Sequence, residues 1–142
     1  LDNDFSIWQQ NMTLSNRQLA GTALVIDDQE TLLTVALDML TAKGMNVLTA
    51  QSGQEGIRLY QEHAEKIDVV LLDMKMPDLN GDVVFARLKA LDPAVRVILT
   101  TGFEEEEVLA HFNGQSPVAF MQKPYRFQNL VEIIARVLAR EP

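Results

Sequence analysis

The sequence contains no cysteine, which removes disulfides, thiolate chemistry and cysteine-ligated zinc from consideration and suits an intracellular setting. Basic residues are also scarce, with 12 Lys and Arg against 20 Asp and Glu and a net charge of −8. A protein that grips a nucleic-acid backbone needs clustered Lys and Arg, so no direct nucleic-acid contact is expected, and the acidic excess reads as solubility. No apolar run approaches the roughly 20 residues of a membrane span. Residues 1–20 lack the basic start and apolar stretch of a secretory leader. The expected unit is cytoplasmic and makes no membrane contact. Histidines number two, His63 and His111, at no metal-ligand spacing, and both are expected on helix surfaces.

What is present is enough for one ordinary core: 142 residues with 47% hydrophobic content. Residues 1–20 show neither strand alternation nor a full helical stripe, and read as a linker, a short extra helix or a boundary artefact ahead of a domain at 21–142. Beyond them, Ala23–Ile26, Val47–Ala50, Val69–Leu72, Val95–Leu99 and Val118–Met121 are too short for helices. Three of the five are continuously apolar, as strands covered on both faces are. Helical patterns alternate with them. Thr31–Lys43 repeats Leu33, Leu37 and Leu40 and stops at Gly44. A second opens with Ser52 and Glu55, spaced as a capping box. Asp82–Leu91 ends at Asp92-Pro93, Glu104–Phe112 opens with four glutamates suited to a helix N-terminus, and Gln128–Ala139 closes the series. Five βα units predict an α/β fold with a doubly wound, five-stranded parallel sheet and helices on both faces.

Such sheets bind ligands at the carboxyl ends of their strands. There the sequence places Asp27 and Asp28 after the first strand, Asp73 after the third, Thr100 and Thr101 after the fourth, and Lys123-Pro124 after the fifth. Singly, Asp28 could be a helix cap and Thr101 a turn residue. Together they bring three carboxylates, a hydroxyl and one ammonium to one edge. Neighbouring carboxylates raise one another's pKa unless a cation intervenes, and Lys123 offsets only one charge. Mg²⁺ suits the remainder, because it takes a few carboxylates, keeps waters and bridges to phosphate oxygens. Asp28 and Asp73 are the expected direct ligands, Asp27 acts through water, and the backbone carbonyl of Lys75 completes the shell. Asp73 is then the nucleophile for a phosphoryl group whose other oxygens Lys123 and Thr101 hold. The turn-rich loop Met74–Gly81 ends the strand and launches the next helix.

Four spaced signatures, VIDDQ, LLDMKMPDLNG, ILTTG and FMQKP, resemble the receiver domain of two-component response regulators over about Ala23 to Leu138. The resemblance implies a flavodoxin-like (βα)5 fold with strand order 2-1-3-4-5, in which Asp28 and Asp73 flank the switch point. It implies that Asp27 and Asp28 are the family's acidic pair, Asp73 its phosphoacceptor and Lys123 its phosphate-binding lysine. Thr101, followed by the small Gly102, matches the switch hydroxyl, Phe120 the switch aromatic, and Lys123-Pro124 the family's cis peptide. The implied donor is a phosphohistidine on a histidine kinase or histidine phosphotransfer domain. The implied output is a change on the face of helix four, strand five and helix five, where a homodimer is also expected. Such a domain self-catalyses phosphoryl transfer and is not an enzyme acting on outside substrates. Lys75 replaces the more usual Asn or Met, and Gly102 leaves that side of the site open, so both bear on phosphate lifetime. The FMQKPY stretch and TTGF ending resemble receivers of hybrid sensor histidine kinases, and the chain is expected to be the C-terminal receiver of one.

Other functions fit less well. A flavin or nucleotide binder of this architecture needs a Gly, Ser or Thr loop after strand one, where this chain has Asp-Asp-Gln-Glu. A Mg²⁺-dependent phosphohydrolase similar to the haloacid dehalogenases needs an Asp where Lys75 stands. A pseudo-receiver that binds partners without phosphorylation is the remaining alternative, at odds with a full set of expected site residues.

Overall fold

In the computed structural model, which describes residues 18–110, 112 and 114–139, the apolar runs form five parallel strands. They are β1 (Thr22–Ile26), β2 (Asn46–Ala50), β3 (Ile67–Asp73), β4 (Val97–Thr101) and β5 (Ala119–Gln122). Between and after them lie α1 (Glu30–Ala42), α2 (Gly53–His63), α3 (Gly81–Leu91), α4 (Glu105–Leu109) and α5 (Phe127–Ala139). The sheet order is β2-β1-β3-β4-β5, the flavodoxin-like order expected. Pairing is parallel throughout, with Val25 opposite Leu71 across β1 and β3, and Asp73 opposite Thr100 across β3 and β4. No described helix is long and apolar enough to cross a membrane.

Because strand side chains alternate, each continuous apolar run feeds two cores. Leu24, Ile26, Val70, Leu72, Val97 and Leu99 pack against Tyr60 of α2, Val84, Phe85 and Leu88 of α3, and Val108 of α4. Ala23, Val25, Val69, Leu71, Ile98 and Met121 meet Leu33 and Leu40 of α1 and Leu130, Ile134 and Val137 of α5 on the other side. Full burial of each Leu, Ile or Val stabilises the fold by about 1.5–3 kcal/mol, which makes the sheet a rigid platform for its carboxyl edge.

Helix ends follow the expected chemistry, with differences. α1 stops at a Schellman turn: Gly44, at φ 101°, donates to the Thr41 carbonyl, and Met45 donates to Leu40. Ser52 caps α2 by accepting the Glu55 N–H at 3.1 Å, but the Glu55 carboxylate reaches the N–H of Gln51 and not that of Ser52. The helix expected over Glu104–Phe112 ends at Leu109, because Phe112 turns inward and meets Phe85 edge-on at 5.3 Å. The strand expected to begin at Val95 begins at Val97, since the Val95 N–H is taken by the Asp92 carbonyl in a turn. Strands β3 and β4 also run on through Asp73 and Thr101, so these polar residues sit in the sheet ladder and not beyond it. Of the segment 1–20, only Gln18 to Ala20 is described; Leu19 is buried and its N–H donates to the Lys43 carbonyl at 2.7 Å. His63 ends α2 at the surface, and His111 lies outside the described residues.

Candidate functional site

The carboxyl edge between β1 and β3 is the switch point of the sheet, where the connections lead to opposite faces. β1 ends one residue before Asp27, whose Oδ1 accepts the Gln29 N–H at 2.9 Å as the chain turns into α1. The capping role considered for Asp28 is not filled by either carboxylate, since Gln29 stands at the N-cap of α1 with no side-chain cap, and Asp28 stands half-buried beside Asp27. Asp73, the last residue of β3, is 7% exposed. One carboxylate oxygen from each of Asp27, Asp28 and Asp73 lies within 4.8 Å of the others.

Lys123 follows β5 directly, ahead of a cis Lys123-Pro124 peptide. Its Nζ donates to Asp73 Oδ1 at 3.1 Å and to Asp27 Oδ2 at 3.3 Å. Burial alone would lower the ammonium's pKa, but the bond and charge of Asp73, with those of Asp27, outweigh it and hold the group above the ordinary lysine value. Asp73 moves the other way from a typical paired carboxylate. Burial first, then the charge of Asp27, push it up, and Lys123 only partly offsets them. The edge thus carries more negative charge than its single ammonium balances. An all-oxygen donor set of this kind fits a hard divalent cation such as Mg²⁺, with Asp28, Asp73 and Asp27 to hold it.

Thr101 closes β4, is 1% exposed, and accepts the Phe103 N–H on its hydroxyl at 3.1 Å. Its carbonyl accepts the Lys123 N–H, tying β4 to the lysine-bearing strand. Thr100 is buried next to it in the ladder, opposite Asp73. Phe120 lies on β5 opposite Leu99, partly buried against the same core as Leu72 and Val108. Lys75 is exposed, and its ammonium sits 4.5 Å from the centre of the Phe103 ring.

Three supports of the site escaped sequence reasoning. Asp78 accepts the N–H groups of Gly53 and Gln54 at 3.0 Å each, so the loop after Asp73 caps the first turn of α2 from outside that helix. Gly81 starts α3 and donates to the Met74 carbonyl at 2.6 Å, folding the loop back on itself. A Cβ there would lie 2.8 Å from both the Asp73 carbonyl oxygen and the Met74 Cα, so only glycine fits against the backbone that carries the carboxylate. Phe103 is the third, through its contacts with Thr101 and Lys75. The Asp78 and Gly81 positions do stand in a turn-rich stretch, which was the one available signal.

Fold and edge together define a flavodoxin-like α/β domain with an acidic site at its switch point. The family model described as the response regulator receiver domain matches residues 23–135, and the chain belongs to that family, a class of signalling modules in two-component systems. It is 22% identical over 122 residues to the sensor kinase CckA of Brucella abortus, covering 86% of this chain and 13% of that protein. It is 24% identical over 121 residues to the chemotaxis protein CheY of Bacillus subtilis, covering 84% of this chain and 99% of that one. Among solved structures, a response regulator receiver domain protein from Clostridium thermocellum superposes with a TM-score of 0.76 at 36% identity, over 83% of this chain and 94% of that one. The chain spans 13 to 26% of the length of the first curated relatives it matches.

Proposed function

We propose that this receiver accepts a phosphoryl group on the carboxylate of Asp73 from a phosphohistidine of a histidine kinase or histidine phosphotransfer domain. The observation that carries the reading is the convergence of three carboxylates on one ammonium at the switch point. In the transfer, an Asp73 oxygen bonds to phosphorus as the phosphorus–nitrogen bond to imidazole breaks, and the imidazole nitrogen leaves with the bonding pair. No base is needed for an ionised carboxylate. Bound Mg²⁺, held by Asp28, Asp73 and the Lys75 carbonyl with Asp27 through water, would neutralise charge on the phosphoryl oxygens. Lys123, already bonded to Asp73, takes a second phosphoryl oxygen, and Thr101 donates its hydroxyl to a third.

The new charge then moves Thr101 inward, Phe120 follows, and the face of α4, β5 and α5 changes its affinity for partners, a second copy of the chain among them. The same geometry argues against a hydrolase for outside substrates, because the place of a general acid is held by Lys75, whose ammonium lies over Phe103. The identity with a sensor kinase over 13% of that protein's length supports, among several parent architectures, a receiver carried by a hybrid histidine kinase.

Incubation with Mg²⁺ and acetyl phosphate, read by intact mass, tests the reading. Native protein should gain the mass of one phosphoryl group and Asp73→Asn none. Equal behaviour of the two proteins removes the proposal.

A further inference from the structure

The loops that follow the proposed nucleophile and the proposed switch hydroxyl are joined by one contact. Lys75 stands two residues after Asp73, Phe103 stands two residues after Thr101, and the Lys75 ammonium lies 4.5 Å from the Phe103 ring centre. Phe103 is 41% exposed, so little core packing holds its ring. The intervening Gly102 adds nothing, since a Cβ there would meet no atom within 4 Å. Two interactions therefore fix Phe103: the cation above its face, and its own N–H donated to the Thr101 hydroxyl. Phe103 itself lines a cavity of about 310 Å³, with Met74, Lys75, Asn80, Asp82, Glu107 and Val108 as the other walls, which leaves the ring room to move.

We propose that Lys75 and Phe103 form a clasp that keeps the Thr101 hydroxyl on the Phe103 amide until Asp73 carries a phosphoryl group. The inference rests on the phosphoacceptor reading of Asp73. An aspartyl phosphate carries about −1.5 to −2 of charge at neutral pH where the carboxylate carried −1, two residues from Lys75, and its oxygens offer the ammonium a stronger partner than a ring face. As the ammonium leaves, Phe103 loses one of its two holds. The Thr101 hydroxyl can then exchange the Phe103 amide for a phosphoryl oxygen. In the unphosphorylated state the clasp opposes that exchange by the strength of an exposed cation–π contact, about two- to fivefold in equilibrium. Lys75 and Phe103 are thus positioning residues that set the threshold of the switch.

Two measurements test this, the first on metal-free protein. Amide hydrogen exchange by NMR should show the Phe103 N–H exchanging about two- to fivefold faster in Lys75→Met than in native protein. Lys75→Arg, which keeps the cation, should retain the native rate, and Thr101→Val should lose the protection. Loss of a positive charge by itself slows hydroxide-catalysed exchange, so a faster rate reports opening of the bond. An unchanged Phe103 rate in Lys75→Met, or a rise shared by Val108 and the rest of α4, overturns the clasp.

The second measurement is a double-mutant cycle on affinity for beryllofluoride with Mg²⁺, a phosphoryl mimic that binds without chemistry. Phe103→Leu should tighten binding about two- to fivefold in the native background and leave it unchanged in Lys75→Met. Phe103→Trp, which keeps a ring face, should match native protein. Equal effects of Phe103→Leu in both backgrounds overturn the clasp alone. Failure of the native protein to bind beryllofluoride overturns the phosphoacceptor reading and, with it, the clasp's role.

Discussion

Replacing Asp78 with alanine removes two hydrogen bonds at once, because its two carboxylate oxygens each accept one of the first N–H groups of α2, at 3.0 Å from Gly53 and Gln54. Those donors have no partners within the helix. A capping carboxylate typically contributes about 0.5–2 kcal/mol, and a negative charge at a helix N-terminus adds about 0.3–1 kcal/mol before screening. Asp78 is exposed, so the ionic part is screened and the expected loss is about 1–2 kcal/mol. For a domain of this size that lowers Tm by about 3–8 °C. The pH dependence has a definite sign. What burial Asp78 has pushes its carboxyl up, but the amides of Gln54, Gly53 and Leu79 outweigh it and hold the carboxyl below its usual value. Its contribution is therefore complete above the ordinary Asp pKa of about 3.9 and fades as pH falls through the lower folded value. Calorimetric melts of native protein and Asp78→Ala should differ by the full amount from pH 7 to pH 5, and the gap should shrink below about pH 4. Asp78→Asn, a neutral acceptor, should fall between the two. A gap absent at pH 7, or one that persists undiminished in acid, refutes the capping role.

Other outcomes follow from the same geometry. Gly81→Ala forces a Cβ to within 2.8 Å of the Asp73 backbone and should cost about 1–3 kcal/mol in urea unfolding; a fully stable variant would show that the loop yields freely. Tyr60→Phe should lose about 0.5–1.5 kcal/mol, measured in the same way, because the Tyr60 hydroxyl donates to Asp92 Oδ2 at 2.6 Å. Burial first, and that bond second, raise the Tyr60 pKa well above the ordinary phenol, so alkaline difference spectra should show Tyr60 ionising only as the protein unfolds. In Asp28→Asn, calorimetric titration should show Mg²⁺ binding at least about tenfold weaker, as expected for a lost carboxylate ligand, and unchanged affinity would remove Asp28 from the metal assignment.

Sheet and helices were legible because strands buried on both faces must be apolar throughout, and Val69–Leu72 is such a run. Strand order was a different matter. Periodicity carries no information on which strands are neighbours, and only the resemblance supplied 2-1-3-4-5. Strand ends were misplaced where polarity and hydrogen bonding part company: Asp73 and Thr100 pair in the ladder although an apolar pattern stops before them. The length of α4 was overestimated because Phe112 continues the apolar pattern while serving as an inward anchor against Phe85. The convergence of Asp27, Asp28, Asp73 and Lys123 was readable, since each follows or closes a strand and all strands point the same way. Asp78, Gly81 and the Lys75–Phe103 contact were not, because they are single contacts between loops or helix ends with no period to betray them.

Whether Asp73 carries the phosphoryl group can be read by trapping the product where it forms. Protein treated with acetyl phosphate and Mg²⁺, then reduced with borohydride to convert an aspartyl phosphate into homoserine, can be digested and mapped by mass spectrometry. Homoserine is expected at Asp73 alone, dependent on Mg²⁺ and abolished with chelator. Homoserine at Asp27 or Asp28, or none at any position, would contradict the Asp73 assignment.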